Sequence, residues 1–250
     1  MFVCRRCGRV EARPLPVCPS CGTWAAFRPL EEPKALSRPA RFFLGPILGG
    51  LLGEVPGGTV LLLGGEPGVG KSTLALSVAG ALAAQGPVVY VCGEEDPAVV
   101  QARAARLGVP QKGITFLPEV ILARILQAAK GAAAVVVDSL PCLTTRASLL
   151  PGSAQAQNEA TLGFVRFTRK TGCLSLLVTQ VAKRGLAGPK FVEHAVDVVL
   201  VLTKDANGTR ALRVTKNRLG PLPPPLPLRM TGQGLAPSEA PSPAPRAKTR

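Results

Sequence analysis

The 250-residue chain is poor in aromatic residues, in acidic residues and in histidine. Aromatic side chains make up 4% of it, which excludes a wide platform for stacking nucleic-acid bases and leaves phosphate contacts as the main possibility. The one histidine, His194, is interpreted as structural rather than catalytic. Fifteen Asp and Glu residues stand against thirty Lys and Arg residues, a formal net charge of +15. This excess favours a polyanionic partner, with nucleic acid first, although a general compositional bias toward arginine would also produce it.

The sequence also lacks a long apolar run and a secretory signal. No run reaches the ~20 residues that cross a bilayer, and the apolar segment 131–137 is stopped by Asp138. The first residues contain neither an apolar segment nor a small-residue cleavage site. A soluble, cytoplasmic protein without a membrane partner is therefore expected. Hydrophobic residues make up 46% of the chain, enough for a real core, which excludes wholesale disorder.

Four of the seven cysteines follow the pattern C-x2-C-x10-C-x2-C. Thiols stay reduced in a cytosol, so two such pairs indicate a metal site, with a redox pair or chance spacing as the alternatives. Four thiolates suit tetrahedral Zn2+ and leave no open coordination position, which predicts a structural zinc ribbon over residues 1–30. The predicted zinc ligands are Cys4, Cys7, Cys18 and Cys21. The remaining three, Cys92, Cys142 and Cys173, are interpreted as small core residues.

The rest of the chain divides into a linker, an α/β domain and a tail. Residues 31–46 contain prolines and charges without periodicity and are predicted to be the linker. Over residues 47–230 apolar strands alternate with helical segments, which predicts a mostly parallel sheet covered by helices on both faces. An Asn-Gly pair at 207–208 predicts an antiparallel hairpin at the end of that sheet. Residues 231–250 are basic and rich in Pro, Ala and Ser, so the tail is predicted to be disordered.

Residues 65–72 match the phosphate-binding pattern G-x4-G-K-[ST] between a buried strand and the start of a helix. The loop's N–H groups and the helix N-terminus would hold phosphate oxygens, which predicts ATP as the ligand. Lys71 would reach the β- and γ-phosphates, and the hydroxyl of Ser72 would bind Mg2+. The predicted nucleotide-binding residues are Gly65, Glu66, Pro67, Gly68, Val69, Gly70, Lys71, Ser72 and Thr73.

Three other predicted strands end in polar residues suited to catalysis. Asp138 follows an apolar strand and is predicted to help orient Mg2+, with a helix cap as the alternative. Glu94 and Glu95 follow the strand 88–92, and Glu94 is favoured as the carboxylate that polarises the attacking water. Gln180 ends the strand 174–179 and is predicted to sense the γ-phosphate.

Taken in order, these motifs resemble those of the bacterial RadA/Sms DNA repair ATPases, relatives of the RecA recombinase. The resemblance rests on Cys-Pro-Ser-Cys-Gly-Thr-Trp at 18–24, Gly-Gly-Glu-Pro-Gly-Val-Gly-Lys-Ser-Thr at 64–73, Tyr-Val-Cys-Gly-Glu-Glu at 90–95, Val-Val-Asp-Ser at 136–139, Ala-Gly-Pro-Lys-Phe-Val-Glu-His-Ala-Val-Asp at 187–197 and Lys-Asn-Arg-Leu-Gly at 216–220.

The resemblance implies a RecA-like core that hydrolyses ATP in a hexameric ring, moves along single-stranded DNA and drives branch migration. It implies single-stranded and branched DNA as partners, together with a RecA-type recombinase. Lys216 and Arg218 would act at the subunit interface on a neighbour's nucleotide, as arginine fingers do. The segment 144–158 would form one central loop, and the implied DNA-contacting residues of the other are Lys183, Arg184 and Lys190.

The chain departs from the family pattern at several points. Gln180 stands where the family has His, Leu219 replaces a Phe, and Asn158 replaces an Arg. The family carries a C-terminal Lon-protease-like domain, and because this sequence ends at Arg250, a protein without that domain is expected.

Two other classes of function stay open beside the DNA-dependent ATPase. A zinc-ribbon DNA-binding adaptor could use ATP as a switch with little turnover. A small-molecule phosphotransferase is disfavoured by the net charge, by the ribbon and by the absence of an evident acceptor-binding lid in the sequence.

Overall fold

The computed structural model describes residues 2–4, 6, 10–29, 39–145, 150–182, 185–186 and 190–238. The chain divides into two compact units, Met1–Arg38 and Pro39–Arg250. Among the described residues, no helix combines the length and the apolar character that crossing a membrane requires.

The first unit contains a small antiparallel sheet. Its strands are β1 (Phe2–Cys4), β2 (Val10–Glu11) and β3 (Phe27–Pro29), in the order β2-β1-β3. The buried residues that form its described core are Cys4, Cys18 and Ala26. Three small side chains bury too little apolar surface to stabilise a fold of this size, so this unit needs a cross-link such as a metal.

The second unit alternates strands with helices. Its helices are α1 (Gly45–Leu52), α2 (Lys71–Ala83), α3 (Pro97–Arg106), α4 (Leu122–Ala128), α5 (Ala154–Thr171) and α6 (Lys190–Ala195), with a 3-10 turn at Leu140–Cys142. Its strands are β4 (Arg41–Phe43), β5 (Glu54–Pro56), β6 (Val60–Gly65), β7 (Val88–Cys92), β8 (Ile114–Leu117), β9 (Ala134–Asp138), β10 (Leu174–Val178), β11 (Val181–Ala182), β12 (Gly185–Leu186), β13 (Val198–Lys204), β14 (Arg210–Asn217), β15 (Leu226–Thr231) and β16 (Gly234–Pro237).

Nine of these strands form one sheet in the order β16-β15-β14-β13-β6-β10-β9-β7-β8. The strands from β13 to β8 in that order are parallel, and β14, β15 and β16 are antiparallel to their neighbours. Alternate residues of β6 pack into separate cores: Leu61 and Leu63 on one face, Val60 and Leu62 on the other. This burial on both faces confirms the predicted α/β architecture, with helices covering a mostly parallel sheet.

The helix ends follow the local chemistry of the sequence. Asp96 caps α3 by accepting a hydrogen bond from the Ala98 N–H at 2.7 Å, and Ser153 caps α5 through the Ala156 N–H. The sequence predicts a helix over 119–130, but α4 begins only at Leu122. The side chain of Glu119 accepts hydrogen bonds from the N–H groups of the next two residues, which holds them outside the helix.

The ordered structure of the second unit extends beyond the predicted bounds of the domain at both ends. β4 pairs with β5, so residues 41–46, predicted as linker, lie within the second unit. β16 pairs with β15, so residues 231–237, predicted as part of the disordered tail, are in the sheet. Leu235 packs against the core and explains this order. Residues 39, 40 and 238 are also described, whereas residues 31–38 of the predicted linker and 239–250 of the predicted tail lie outside the described residues.

Candidate functional site: phosphate-binding loop and cysteine cluster

The phosphate-binding loop joins the end of β6 to the start of α2. Gly70 takes a φ of 113°, a left-handed conformation that side chains other than hydrogen disfavour. A Cβ at Gly65 would lie 2.6 Å from the carbonyl oxygen of Leu202 on the neighbouring strand. These two glycines therefore allow the backbone to turn tightly here, against β13, and to direct the N-terminus of α2 toward the loop.

Lys71 folds back over this loop. Its Nζ donates hydrogen bonds to the carbonyl oxygens of Gly65 and Glu66, each at 2.9 Å. Burial lowers the pKa of Lys71, and the negative charges of Asp138 and Glu94 oppose that shift. The lysine, the loop and both carboxylates thus belong to one electrostatic site.

Asp138 lies at the end of β9 and is half-buried. The hydroxyl of Tyr90 donates to its Oδ2 at 2.8 Å, and the Ser72 side chain lies close enough to the same carboxylate to affect its pKa. Burial raises the pKa of Asp138, while the bonds from Tyr90 and Ser72 lower it. The two side chains predicted to bind Mg2+, Ser72 and Asp138, therefore lie near each other, and both offer the oxygen ligands that Mg2+ prefers.

Glu94 lies beside Asp138 because their strands are adjacent and parallel. Cys92 is directly opposite Asp138, and the Gly93 N–H donates to the Asp138 carbonyl oxygen at 2.8 Å. The next residue after Asp138, Ser139, is buried and donates its hydroxyl proton to Glu94 Oε1. The sequence alone does not identify Ser139 as a site residue, since a serine after a strand carries no signal of its own.

Glu95 has a different partner. Its carboxylate forms two hydrogen bonds with the guanidinium of Arg103, at 2.6 and 2.7 Å, and this contact holds the pKa of Glu95 below its usual range. Of the two adjacent glutamates, Glu94 is thus the one held next to Asp138.

Gln180 follows β10, the strand between β6 and β9, and its side chain is exposed at the same edge of the sheet.

Lys216 and Arg218 lie at the C-terminal end of α6 of their own chain. Lys216 Nζ donates to the carbonyl oxygens of Glu193, His194 and Val196 at 2.7, 2.9 and 2.7 Å. Arg218 donates to the His194 carbonyl at 2.9 Å and pairs with Asp197 at 3.5 Å. Burial, followed by the charge of Arg218, lowers the pKa of Lys216. The sequence alone does not indicate these contacts, because the partners are backbone atoms twenty or more residues away.

The residues implied to contact DNA are only partly described. Lys190 is exposed and begins α6, whereas Lys183 and Arg184 lie outside the described residues. The implied central loop 144–158 is partly helical, because Ser153 caps α5 and residues 154–158 form its first turns. In that helix the Oδ1 atom of Asn158 is buried without a hydrogen-bond partner among the described residues.

Three cysteine sulfurs of the first unit form a cluster. Those of Cys4, Cys18 and Cys21 lie within 4.8 Å of one another, and the Cys4–Cys21 separation is 3.7 Å. Thiolates bound to Zn2+ at about 2.3 Å in a tetrahedron would be about 3.8 Å apart, so this donor set fits zinc. The fourth predicted ligand, Cys7, lies outside the described residues.

The other cysteines follow the prediction in two cases of three. Cys92 and Cys173 are buried in the cores on either side of the sheet, as predicted. Cys142 is only half-buried, with its sulfur 3.8 Å from the hydroxyl oxygen of Ser139, because it follows the strand in the 3-10 turn. Its place is therefore beside the carboxylate site rather than in a core.

Arg210 is a contact to the loop that sequence analysis missed. Its Nε donates to the carbonyl oxygen of Val69 at 2.9 Å, and it begins β14, two strands away from β6. The hairpin β15–β16 approaches the same loop, since a Cβ at Gly70 would lie 2.9 Å from Met230 Cε. An arginine after a turn resembles a solvated surface residue in sequence, so only the fold reveals this role.

Comparison with known proteins identifies the family. Residues 47–185 match the sequence model of an AAA domain. Proteins named DNA repair protein RadA are similar: that of Aquifex aeolicus is 33% identical over 97% of this chain, that of Campylobacter jejuni 34% over 88%, and that of Pseudomonas aeruginosa 32% over 97%. The chain spans 60%, 56% and 60% of the length of these relatives.

A solved structure agrees with the predicted fold. The KaiC-like protein of the archaeon Pyrococcus horikoshii superposes with a TM-score of 0.68 and 25% identity over 80% of this chain and 99% of that protein. Together with the nine-stranded sheet, this likeness confirms a RecA-like α/β fold. By these matches in sequence and structure, the chain belongs to the RadA family and carries an AAA domain over residues 47–185.

Proposed function

We propose that this chain is a DNA repair ATPase that couples ATP hydrolysis to movement on single-stranded DNA and to branch migration of recombination intermediates. The observation that carries the proposal is the convergence of Lys71, Ser72, Asp138 and Glu94 at the carboxyl edge of one sheet. These groups supply phosphate binding, metal binding and a general base, which are the parts that phosphoryl transfer to water needs.

Lys71 would exchange its two loop carbonyl acceptors for the β- and γ-phosphate oxygens of ATP. The contact between Ser72 and Asp138 would open to hold Mg2+, and bound there the ion would neutralise charge on the phosphates. The half-buried Asp138 carboxylate supports this assignment, because a cation favours its ionised form and offsets the cost of partial burial.

Glu94 would accept a proton from the water that attacks the γ-phosphate. The Ser139 hydroxyl donates to one carboxylate oxygen of Glu94 and would orient the carboxylate toward that water, so Ser139 would act as a positioning residue. Gln180, at the same edge of the sheet, would detect whether the γ-phosphate is present.

DNA would be contacted through the basic residues Lys183, Arg184 and Lys190, consistent with the net charge of +15 and with the names of the relatives. We place this activity in the cytoplasm, in a hexameric ring that works with a RecA-type recombinase. For Lys216 and Arg218 to stabilise a neighbour's nucleotide across that ring, they would have to leave the carbonyl oxygens of α6.

The cysteine cluster would hold one structural Zn2+ with Cys4, Cys7, Cys18 and Cys21 as ligands. The sulfur separations of the three described ligands support this assignment. The ion would supply the stability that the small core of this unit lacks.

ATP hydrolysis with and without single-stranded DNA tests the proposal. Lys71→Ala should abolish hydrolysis, whereas Lys112→Ala, which removes an exposed lysine before β8 at the opposite edge of the sheet, should retain it. DNA should stimulate the native chain and the Lys112 variant alike. Hydrolysis that survives Lys71→Ala would refute the assigned site. DNA binding without stimulated turnover would instead favour the adaptor function.

A further inference from the structure

The link between β7 and α3 carries Glu94 between two fixed neighbours. On one side, the Gly93 N–H donates to the carbonyl oxygen of Asp138 at 2.8 Å. On the other side, the Asp96 side chain caps α3 through a hydrogen bond of 2.7 Å to the backbone of its first turn. Glu94 and Glu95 are the residues between these two contacts, so what holds Glu95 also limits where the Glu94 carboxylate can lie.

Arg103 of α3 holds Glu95. Its Nη1 and Nη2 atoms donate to the two oxygens of the Glu95 carboxylate, at 2.6 and 2.7 Å. A contact of two parallel bonds fixes the orientation of the carboxylate as well as its distance. Water shields the pair only in part, since 24% of the Arg103 side chain and 38% of the Glu95 side chain are exposed. The pair is therefore more rigid than an ion pair on the open surface.

Stabilisation of α3 alone does not account for this pair. The two residues are eight positions apart, twice the longest spacing at which opposite charges support each other along one helix. The start of α3 already has Asp96 as its cap and Pro97 at its first position. The pair instead ties the segment that follows β7 to the last turn of the helix.

Arg103 also lies within electrostatic reach of the carboxylate site. Its hydrogen bonds with Glu95 raise the pKa of Arg103, burial opposes that rise, and the negative charges of Glu95 and Asp138 add to it. The guanidinium thus neutralises Glu95 while it remains near the carboxylate proposed to bind Mg2+. Glu95, engaged in this way, does not compete with Glu94 for contacts at the site.

We propose that Arg103 is a positioning residue for ATP hydrolysis, which acts through Glu95 on Glu94. The inference rests on the proposed function, because Glu94 is the carboxylate assigned there as the general base. By holding Glu95, Arg103 completes the contacts that fix the backbone on both sides of Glu94. A displacement of about 1 Å in a reacting group can lower a rate by about 100-fold, so this bracing affects turnover rather than ATP binding.

Steady-state ATP hydrolysis by the full chain tests this role. Arg103→Met should lower kcat by about tenfold and leave the KM for Mg-ATP within about twofold of the native value, because the phosphate-binding loop is untouched. Arg103→Lys keeps the charge but cannot form both bonds, and it should recover part of the loss. Arg106→Met removes an exposed cation from the same turn of α3 and should change neither constant.

Variants of Glu95 approach the same contact from the other side. Glu95→Ala removes the acceptor and should reproduce the loss in kcat, while Glu95→Gln retains one acceptor oxygen and most of the turnover. The double variant Arg103→Met/Glu95→Ala should be no slower than either single variant, since the two residues act as one unit. Glu95→Ala leaves α3 unchanged, so it decides the matter if Arg103→Met does not fold.

The outcomes separate this inference from the proposed function. Native kcat in Arg103→Met or in Glu95→Ala, losses that multiply in the double variant, or a raised KM with native kcat would each overturn the positioning role. If the native chain does not hydrolyse ATP, or if Glu94→Gln retains native turnover, the proposed function and its general base fail instead, whatever the Arg103 variants do.

Discussion

The carboxylate of Asp138 is half-buried beside two hydroxyl groups, those of Tyr90 and Ser72, and its charge state depends on both. Burial raises its pKa, and each hydroxyl counteracts that rise by stabilising the ionised form. Because a protonated Asp138 would bind Mg2+ poorly, these hydroxyls extend the proposed activity to lower pH.

Tyr90→Phe should therefore raise the pKa of Asp138 further. Activity requires the ionised carboxylate, so the acid limb of the pH–rate profile for ATP hydrolysis should shift to higher pH. Loss of this buried hydrogen bond should also destabilise the protein by about 1–2 kcal/mol. Phe116→Leu is the matched control, since Phe116 packs on the Tyr90 ring at a centroid distance of 5.7 Å and is not among the groups that shift the pKa of Asp138. An unshifted acid limb in Tyr90→Phe would show that Tyr90 does not control this carboxylate.

The sequence predicts the site residues whose identity is set by local pattern and misses those set by the fold. Lys71 and Asp138 belong to recognisable strand-end motifs, and the structure brings them together as that pattern implies. Tyr90, Ser139 and Arg210 have partners 48, 45 and 141 residues away in the chain. Their contacts depend on the register of β7 against β9 and on the position of β14, which no local pattern encodes.

At the scale of elements, the C-terminal end of the short helix α6 is stabilised by residues at the end of strand β14. Six residues are too few for a stable isolated helix, and its last carbonyl groups have no partners within it. Lys216, near the end of β14, donates hydrogen bonds to these carbonyl groups, and Arg218 donates one more, to the carbonyl oxygen of His194. Any movement of these two residues toward a neighbouring subunit would thus release the helix that begins at Lys190.

Lys216→Met should loosen α6 because three carbonyl acceptors lose their donor. Amide hydrogen exchange in residues 190–196 should quicken by about tenfold, a modest effect because partial exposure screens the ammonium charge. Arg213→Met, an exposed cation on the same strand, should leave that exchange unchanged. Equal exchange in native and Lys216→Met protein would contradict the capping role.

The elements that the sequence predicts poorly are those rich in proline. The five prolines between 221 and 227 make β15 difficult to recognise in the sequence, and Pro237 does the same for β16. Proline is nevertheless tolerated where its missing N–H costs no ladder hydrogen bond, and β16 is an edge strand of the sheet. Leu228 packs into the core and Leu235 packs against it, and this burial stabilises the two strands despite their prolines.

At the scale of the whole molecule, the two compact units have different sources of stability. The second unit buries extensive apolar clusters on both faces of its sheet, whereas the described core of the first holds only three small residues. Metal removal should therefore affect the first unit alone.

Treatment with a zinc chelator, followed by restoration of Mg2+, should unfold residues 1–28 and leave ATP binding intact. Amide hydrogen exchange of residues 10–28 reports on the first unit, because Trp24 is already 75% exposed and its fluorescence would change little on unfolding, and calorimetry reports on the second. Zinc added back in stoichiometric amount should restore the slow exchange of the first unit. Loss of ATP binding together with the ribbon would show that the two units do not fold independently.

The central claim is that ATP is hydrolysed where Glu94 lies beside Asp138, and the most direct measurement compares Glu94→Gln with Glu95→Gln. Binding of Mg-ATP and its rate of hydrolysis should be measured for both variants. Glu94→Gln should bind ATP with native affinity and lose about 100-fold or more in turnover, because the general base is gone. Glu95→Gln should retain most turnover, since Glu95 is engaged with Arg103. Native turnover in Glu94→Gln, or an equal loss in Glu95→Gln, would contradict this account of the site.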